Sequence, residues 1–231
     1  MYPHRIRLRG PWEYEILSGA QPSSGRLTLP CRLQDTGLAG FHGEIRFRRR
    51  FGLPRQLDEH ERVWLVFQGV VQPMKLSLNG LHLAAVPQTA GFEIEVTNRL
   101  QERNVVDVEM ENIKPPIGLW EEAALEIRCR AFMRNVQVTT VSENESRRLE
   151  AHGLVVGTAT DPLDLYLIVN RSNAANATVV PAEPTGTPFH LRSEPMIHPA
   201  DTIRIELVAG GLIYDCFETV SLSYFGITTS K

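Results

Sequence analysis

Two pairs of carboxylates stand close enough in the sequence to suggest acid–base chemistry: Glu121 with Glu122, and Asp161 with Asp164. Two-carboxylate retaining hydrolysis needs an acid/base and a nucleophile whose carboxyls lie about 5 Å apart across the scissile bond. Neighbours on a strand point to opposite faces, which separates Glu121 from Glu122. Asp161 and Asp164 flank Pro162 in a predicted turn, where solvated aspartates serve local hydrogen bonding. Neither pair is read as catalytic. The seven histidines (His4, His42, His60, His82, His152, His190 and His198) are scattered without ligand spacing. Cys31, Cys129 and Cys216 are widely spaced and odd in number, so the expectation is three reduced, mostly buried thiols and no metal site. No G-x-S-x-G elbow, phosphate loop or H-E-x-x-H motif occurs, and no cofactor is expected. The densest cation cluster is 46-RFRRR-50. Strand alternation places Arg46, Arg48 and Arg50 on one solvated face rather than in an anion site. Arg49 falls among apolar neighbours, and because an unpaired internal charge is costly it should pair with a buried acid or turn to a ligand.

The elements that must position such groups are strands. The chain has 231 residues, 42% hydrophobic and 22% charged, an ordinary globular composition with room for one large or two small domains. Residues 1–128 are neutral overall and the remainder carries the whole net charge of −3. A phosphate-binding surface wants a basic excess, so no nucleic-acid partner is expected. No apolar run reaches the ~18 residues that span a bilayer, so no membrane partner is expected either. Alternation begins almost at once in 4-HRIRLRG-10 with no apolar run after the basic residues, and the expected location is the cytoplasm. Three Asn-x-Ser/Thr sequons, at Asn144, Asn170 and Asn176, are then taken as chance.

Period-two alternation is pervasive. In 43-GEIRFRRRF-51 the apolar residues Ile45, Phe47 and Phe51 share a face with Arg49. In 62-RVWLVFQGV-70 both faces are apolar, which predicts a central strand covered on two sides. In 75-KLSLNGLHLA-84, Asn79-Gly80 sits between two alternating runs and predicts a two-residue type I′ hairpin. Further strands are expected at 24–30, 91–97, 104–110 and 120–128. A second set follows at 135–142, 147–158, 163–170, 177–183, 187–193, 202–209 and 212–223, about seven strands in ~100 residues, the size of an immunoglobulin-like domain. The fold class is all-β, two β-sandwich domains in series, with the boundary near 129–134.

An ordered series of segments resembles the opening of the family-two glycoside hydrolases, the β-galactosidase, β-glucuronidase and β-mannosidase group. It runs 8-LRGPWEYEIL-17, 47-FRRRFGLP-54, 63-VWLVFQGVVQPMKLSLNGLHLA-84, 92-FEIEVTNRL-100, 104-NVVDVEMEN-112 and 117-IGLWEEAALEI-127. The segments 134-RNVQVTT-140, 163-LDLYLIV-169 and 203-IRIELVAGGLIYDCFETVSLSYFGI-227 are similar to the next domain of those enzymes. The resemblance implies a galactose-binding-like jelly roll over residues 1–130 and an immunoglobulin-like sandwich over 131–231. Its residues are mainly packing residues: Gly69 for a close backbone approach, and Phe51, Trp64, Phe67, Leu76 and Leu78 between the sheets. Trp12 and Trp120 are read first as packing residues too. Such a resemblance speaks for fold before function.

In the family a third domain, a (β/α)₈ barrel supplying two glutamates, performs hydrolysis. A barrel needs on the order of 250 residues, and two sandwiches take up this sequence, so it is not expected to be an enzyme. The resemblance implies ligand contact through two loops at one end of the first sandwich, 34-QDTGLAGFHG-43 and 111-ENIKPPIGLW-120. They offer Asp35, His42, Glu111, Asn112, Lys114 and Trp120, polar groups for vicinal hydroxyls and an aromatic face for a sugar ring. Three features depart from the family: Pro115-Pro116 in a shortened loop, Glu121 where an arginine is usual, and 86-VPQTAGF-92 in place of a Gly-Gly-Tyr-type loop. The expected function is non-catalytic carbohydrate binding. The alternative is a scaffold that binds protein, either a separate catalytic chain or a second copy in a homo-oligomer.

Overall fold

The computed structural model describes residues 2–18, 24–32, 35, 36, 38, 41–111, 121–143, 146–159, 161–181, 185–196, 200–220, 229 and 230 of the chain. Among the described residues there is no α-helix, hence none long and apolar enough to cross a membrane. The strands fall into two compact units, Arg5–Ile127, and Met1–His4 with Arg128–Lys231. Both are β-sandwiches.

The first contains β1 (His4–Arg7), β2 (Trp12–Ser18), β3 (Ser24–Leu27), β4 (Glu44–Gly52), β5 (Glu61–Val70), β6 (Met74–Leu78), β7 (Leu81–Val86), β8 (Thr89–Glu95), β9 (Arg103–Met110) and β10 (Glu122–Cys129). Six strands form one sheet in the order β3-β2-β4-β9-β6-β7 and four form the other as β1-β10-β5-β8. The predicted alternation is what fills the core. Ile45 and Phe47 of β4, Leu76 and Leu78 of β6, Val106 and Val108 of β9, and Val63, Leu65 and Phe67 of β5 are each no more than 1% exposed. Trp12 is fully buried and its Nε1 donates to the Leu8 carbonyl at 2.6 Å, a packing role. Phe51 and Trp64, expected between the sheets, are only half-buried: Phe51 lies near the end of β4, and Trp64 alternates with the buried Val63 and Leu65.

The β6–β7 turn has the backbone that Asn79-Gly80 predicts, with φ of 53° and 78°. Asn79 also ties the hairpin to β9. Its Oδ1 accepts the Val105 N–H at 2.9 Å, and its Nδ2 donates to the Arg99 carbonyl and to Asn104 Oδ1, each at 3.0 Å. Asn104, 1% exposed, closes the network by bonding both the N–H (2.8 Å) and the carbonyl (2.7 Å) of Gln101.

The outward arginines of β4 are neutralised across strands rather than left to solvent. Register sets Glu15 and Glu109 on either side of Arg46, and Glu13 and Asp107 on either side of Arg48. Arg46 bonds Glu109 at 2.7 Å and Glu15 at 3.3 Å, Arg48 bonds Asp107 at 2.7 Å, and Arg50 pairs with Glu13. Arg49 meets no acid among the described residues; its Nη1 donates to the Pro11 carbonyl at 3.2 Å, while its Nε is buried with no hydrogen-bond partner among them.

The second sandwich contains β11 (Ala131–Glu143), β12 (Ser146–Gly157), β13 (Leu163–Val169), β14 (Ser172–Val179), β15 (Thr187–Arg192), β16 (Thr202–Ala209), β17 (Leu212–Val220) and β18 (Thr229–Ser230). Its sheets, β15-β12-β11-β18 and β14-β13-β16-β17, have immunoglobulin-like order. Val136, Val138, Leu149 and Ala151 share its core with Leu165, Leu167, Ile203, Ile205 and Leu207. Asp215 of β17 is 5% exposed, and its Oδ2 accepts the Met133 N–H of β11 at 2.8 Å. None of the three cysteines forms a disulfide, and only Cys129 is buried; Cys31 and Cys216 are half-buried.

Candidate functional site: the loop end of the first sandwich

Register brings several connections to one end of the first sandwich. Ile45 pairs with Met110, Met110 with Met74, and Met74 with Val86, a row across β4, β9, β6 and β7. At about 4.8 Å between strands, that row is about 14 Å wide. Just beyond it lie His42 before β4, Gln72 and Pro73 before β6, Pro87 after β7, and Glu111 after β9. On the facing sheet β5 ends at Val70, opposite Thr89 of β8. The Glu121 N–H donates to the Gln68 carbonyl at 2.8 Å. Gly69, with φ of 60°, permits this approach, since a Cβ there would lie 2.6 Å from Glu121 Cγ.

A cleft of about 640 Å³ opens at this end. Pro73, Ala85 and Pro87 give it apolar surface above the buried Met74 and Val86, and Gln72, Lys75, Glu109 and Glu111 give it polar groups. Lys75 and Glu111, both well exposed, form an ion pair. That bond, with the further fields of Glu109 and Glu44, pushes the Lys75 ammonium above its ordinary value. The Gln72 Oε1 is shielded from solvent and has no hydrogen-bond partner among the described residues.

Of the residues expected to bind ligand, Glu111 lines this cleft. Asp35 and His42 are exposed and do not line it; the Asp35 N–H donates to the Arg32 carbonyl at 3.0 Å. Asn112, Lys114 and Trp120 lie outside the described residues. Gln72 and Lys75 were missed because 72-QPMK-75 reads as the lead-in to a packing hairpin, and only the register places it beside Glu111.

One member of each carboxylate pair is engaged structurally. Glu122 receives Arg5 at 2.7 Å and Arg7 at 3.3 Å, and Arg5 also pairs with Glu126, which fastens β1 to β10. Asp164 accepts the Thr178 hydroxyl at 2.9 Å. One group that the sequence scan passed over, Asp58, His60 and Glu61, has its potential metal-ligand atoms within 4.8 Å of one another. The buried Glu61 carboxylate in that group is already taken by Arg55 and by the Asp58 N–H, the latter at 2.9 Å.

No protein-family model and no curated relative matches the sequence. Solved structures do, and the neighbours are family-two glycosidases. A protein from Bacteroides fragilis assigned as a β-galactosidase aligns with a TM-score of 0.71 at 12% identity, over 95% of this chain and 41% of its own. A family-two glycosyl hydrolase from Bacteroides cellulosilyticus gives 0.64 at 14%, over 93% and 36%. The Bifidobacterium dentium β-glucuronidase solved with coumarin-3-O-glucuronide gives 0.65 at 15%, over 97% and 48%. At these identities the likeness establishes the fold. The chain spans less than half the length of each of the three.

Proposed function

We propose that the chain is a non-catalytic carbohydrate-binding module whose site is the loop end of the first sandwich. The observation that carries this reading is the cleft there, where two carboxylates and an ammonium sit beside apolar surface. A sugar presents that combination of hydroxyl donors and a weakly polar ring face. Likeness to glycosidases over nearly the whole chain supports it. In this reading Glu111 faces the ligand, and Asp35 and His42 belong to the rim. The test is calorimetric titration with methyl β-galactoside, β-glucoside, β-mannoside and β-glucuronide. Saturable binding weakened by Glu111→Ala is expected, without turnover of chromogenic glycosides. Silence against all four sugars would sink the reading.

A second reading, an interaction module, draws on a different feature. Among the described residues β7 pairs only with β6, which leaves its other edge unpaired among them, and 81-LHLAAV-86 carries no Asp, Glu, Lys or Arg. Leu81 on this edge is 63% exposed. Uncharged open edges invite strand addition. A stable dimer in sedimentation, dispersed by Leu81→Arg, is its expected result.

A further inference from the structure

In the second sandwich the pairing of β12 with β15 sets His152 directly opposite His190, and Glu150 directly opposite Arg192. Paired residues share a face of the sheet, and so do residues two apart on one strand, so all four side chains project from one side. It is the solvent side, because the intervening Ala151 and Leu191 are buried while both histidines are exposed. Gln137 of β11 pairs with His152 and completes the row. Directly opposed residues root their side chains about 5 Å apart. Two imidazoles on one zinc-like ion bring their nitrogens to about 3.3 Å, at about 2.0–2.1 Å per bond. Facing rings on one sheet close that difference by rotamer choice alone.

The groups around the pair suit a ligand set. Gln137 Oε1 lies 3.0 Å from His152 Nε2. An amide oxygen only accepts, so Nε2 carries the proton and Nδ1 the lone pair. Metal-bound histidines are held in one tautomer by a backing acceptor of this kind. Glu150 Oε2 lies 3.7 Å from His190 Nε2, and Glu150 Oε1 meets Arg192 Nε at 3.3 Å. The arginine thus orients the carboxylate and leaves its second oxygen beside the ring. Arg148, two residues before Glu150 on the same strand, donates to the Ser193 carbonyl at 3.3 Å.

We propose that His152, His190 and Glu150 bind a divalent transition-metal ion of the zinc and nickel class, an inference independent of sugar binding. Imidazole favours those metals, whereas magnesium and calcium take oxygen ligands. Exposed rings exchange rotamers within nanoseconds, so capture requires no movement of the backbone. Three protein ligands leave a coordination position to water. The ion ties β15, an edge strand, to β12. Sequence spacing gives no sign of the pair, because strand register makes it.

The test is calorimetric titration of Ni²⁺, Zn²⁺ and Mg²⁺ into the intact chain, repeated with His152→Ala, His190→Ala and His60→Ala, each shown to be folded by circular dichroism. Saturable binding of one Ni²⁺ or Zn²⁺ per chain is expected, with none of Mg²⁺. His152→Ala and His190→Ala should each weaken it about tenfold or more, since even losing a group that only orients a ligand has an effect of that size. His60→Ala, in the Asp58, His60 and Glu61 group, should change nothing. Saturating Ni²⁺ should also raise the urea midpoint of the far-ultraviolet transition, because it binds the folded second sandwich alone. No saturable binding, undiminished binding in either variant, loss on His60→Ala instead, or an unmoved midpoint overturns the proposal.

Discussion

Replacing Asn104 with alanine removes three side-chain hydrogen bonds at the far end of the hairpin from the cleft. Two go to the Gln101 backbone, at 2.8 and 2.7 Å, and one comes from Asn79 Nδ2 at 3.0 Å. Each net bond is worth about 0.5–1.5 kcal/mol, and Asn104 is 1% exposed, so water does not replace the lost partner at that site. The expected loss is about 2–4 kcal/mol. Asn79→Gly removes the other half of the network without straining the turn, because glycine accepts the φ of 53° found there. The two substitutions share one hydrogen bond, so the double variant should cost less than their sum by about 1 kcal/mol. The assay is convenient because Trp12, Trp64 and Trp120, the chain's three tryptophans, all precede residue 128, so their fluorescence follows the first sandwich alone. Asn104→Ala should lower the urea midpoint by about 1–2 M at an m-value ordinary for this size. A loss below about 1 kcal/mol, or strict additivity with Asn79→Gly, would refute the view that this pair anchors the hairpin.

In the second sandwich, Asp215→Ala strips the 2% exposed Met133 N–H of its 2.8 Å acceptor and should cost about 1–3 kcal/mol, lowering the far-ultraviolet transition while tryptophan fluorescence stays unchanged. Trp12→Phe loses the 2.6 Å bond to Leu8 and opens a void in the core, which should cost about 2–3 kcal/mol by urea titration of fluorescence. Burial holds the Cys31 and Cys216 thiols above the usual 9.0. Iodoacetamide at pH 7.5 should therefore label them far more slowly in the folded chain than in urea, and equal rates would contradict that burial. The Arg50 hydrogen bond holds Glu13 below its usual 4.5. A depressed folded value contributes stability present above the unfolded value and lost as pH falls through the folded one. The urea midpoints of the parent and Glu13→Gln should differ slightly near pH 7 and converge as pH drops below 4.5.

Most of the architecture was legible because strand alternation is imposed by burial, and burial is written residue by residue. Ile45, Phe47, Leu76 and Leu78 alternate with charged or polar neighbours, and one register satisfies them all. Asn79-Gly80 was legible because few residue pairs accept positive φ twice. The Asn170-Arg171 turn was not, since an arginine with φ of 70° gives no such signal. The strand expected at 177–183 therefore starts at Ser172, straight after that turn.

The cleft was legible only at Glu111, and the reason lies in what alternation encodes. Period two assigns a side chain to a face but says nothing about which strand lies beside it. The expectation that Arg46, Arg48 and Arg50 face outward is right, yet the carboxylates that neutralise them come from β2 and β9, as far as 63 residues away in the case of Glu109. Lys75 meets Glu111 across 36 residues for the same reason. Arg49 shows the converse limit. Its inward parity suggested a buried acid, but a polar group near a sheet's end can reach a backbone carbonyl such as that of Pro11, and sequence patterns do not mark carbonyls. A binding site built from strand ends depends on pairing order, a long-range property, while the core depends on periodicity, a local one. Two chains with the same alternation but a different order of β9 and β6 would bury the same core and have no cleft beside Glu111.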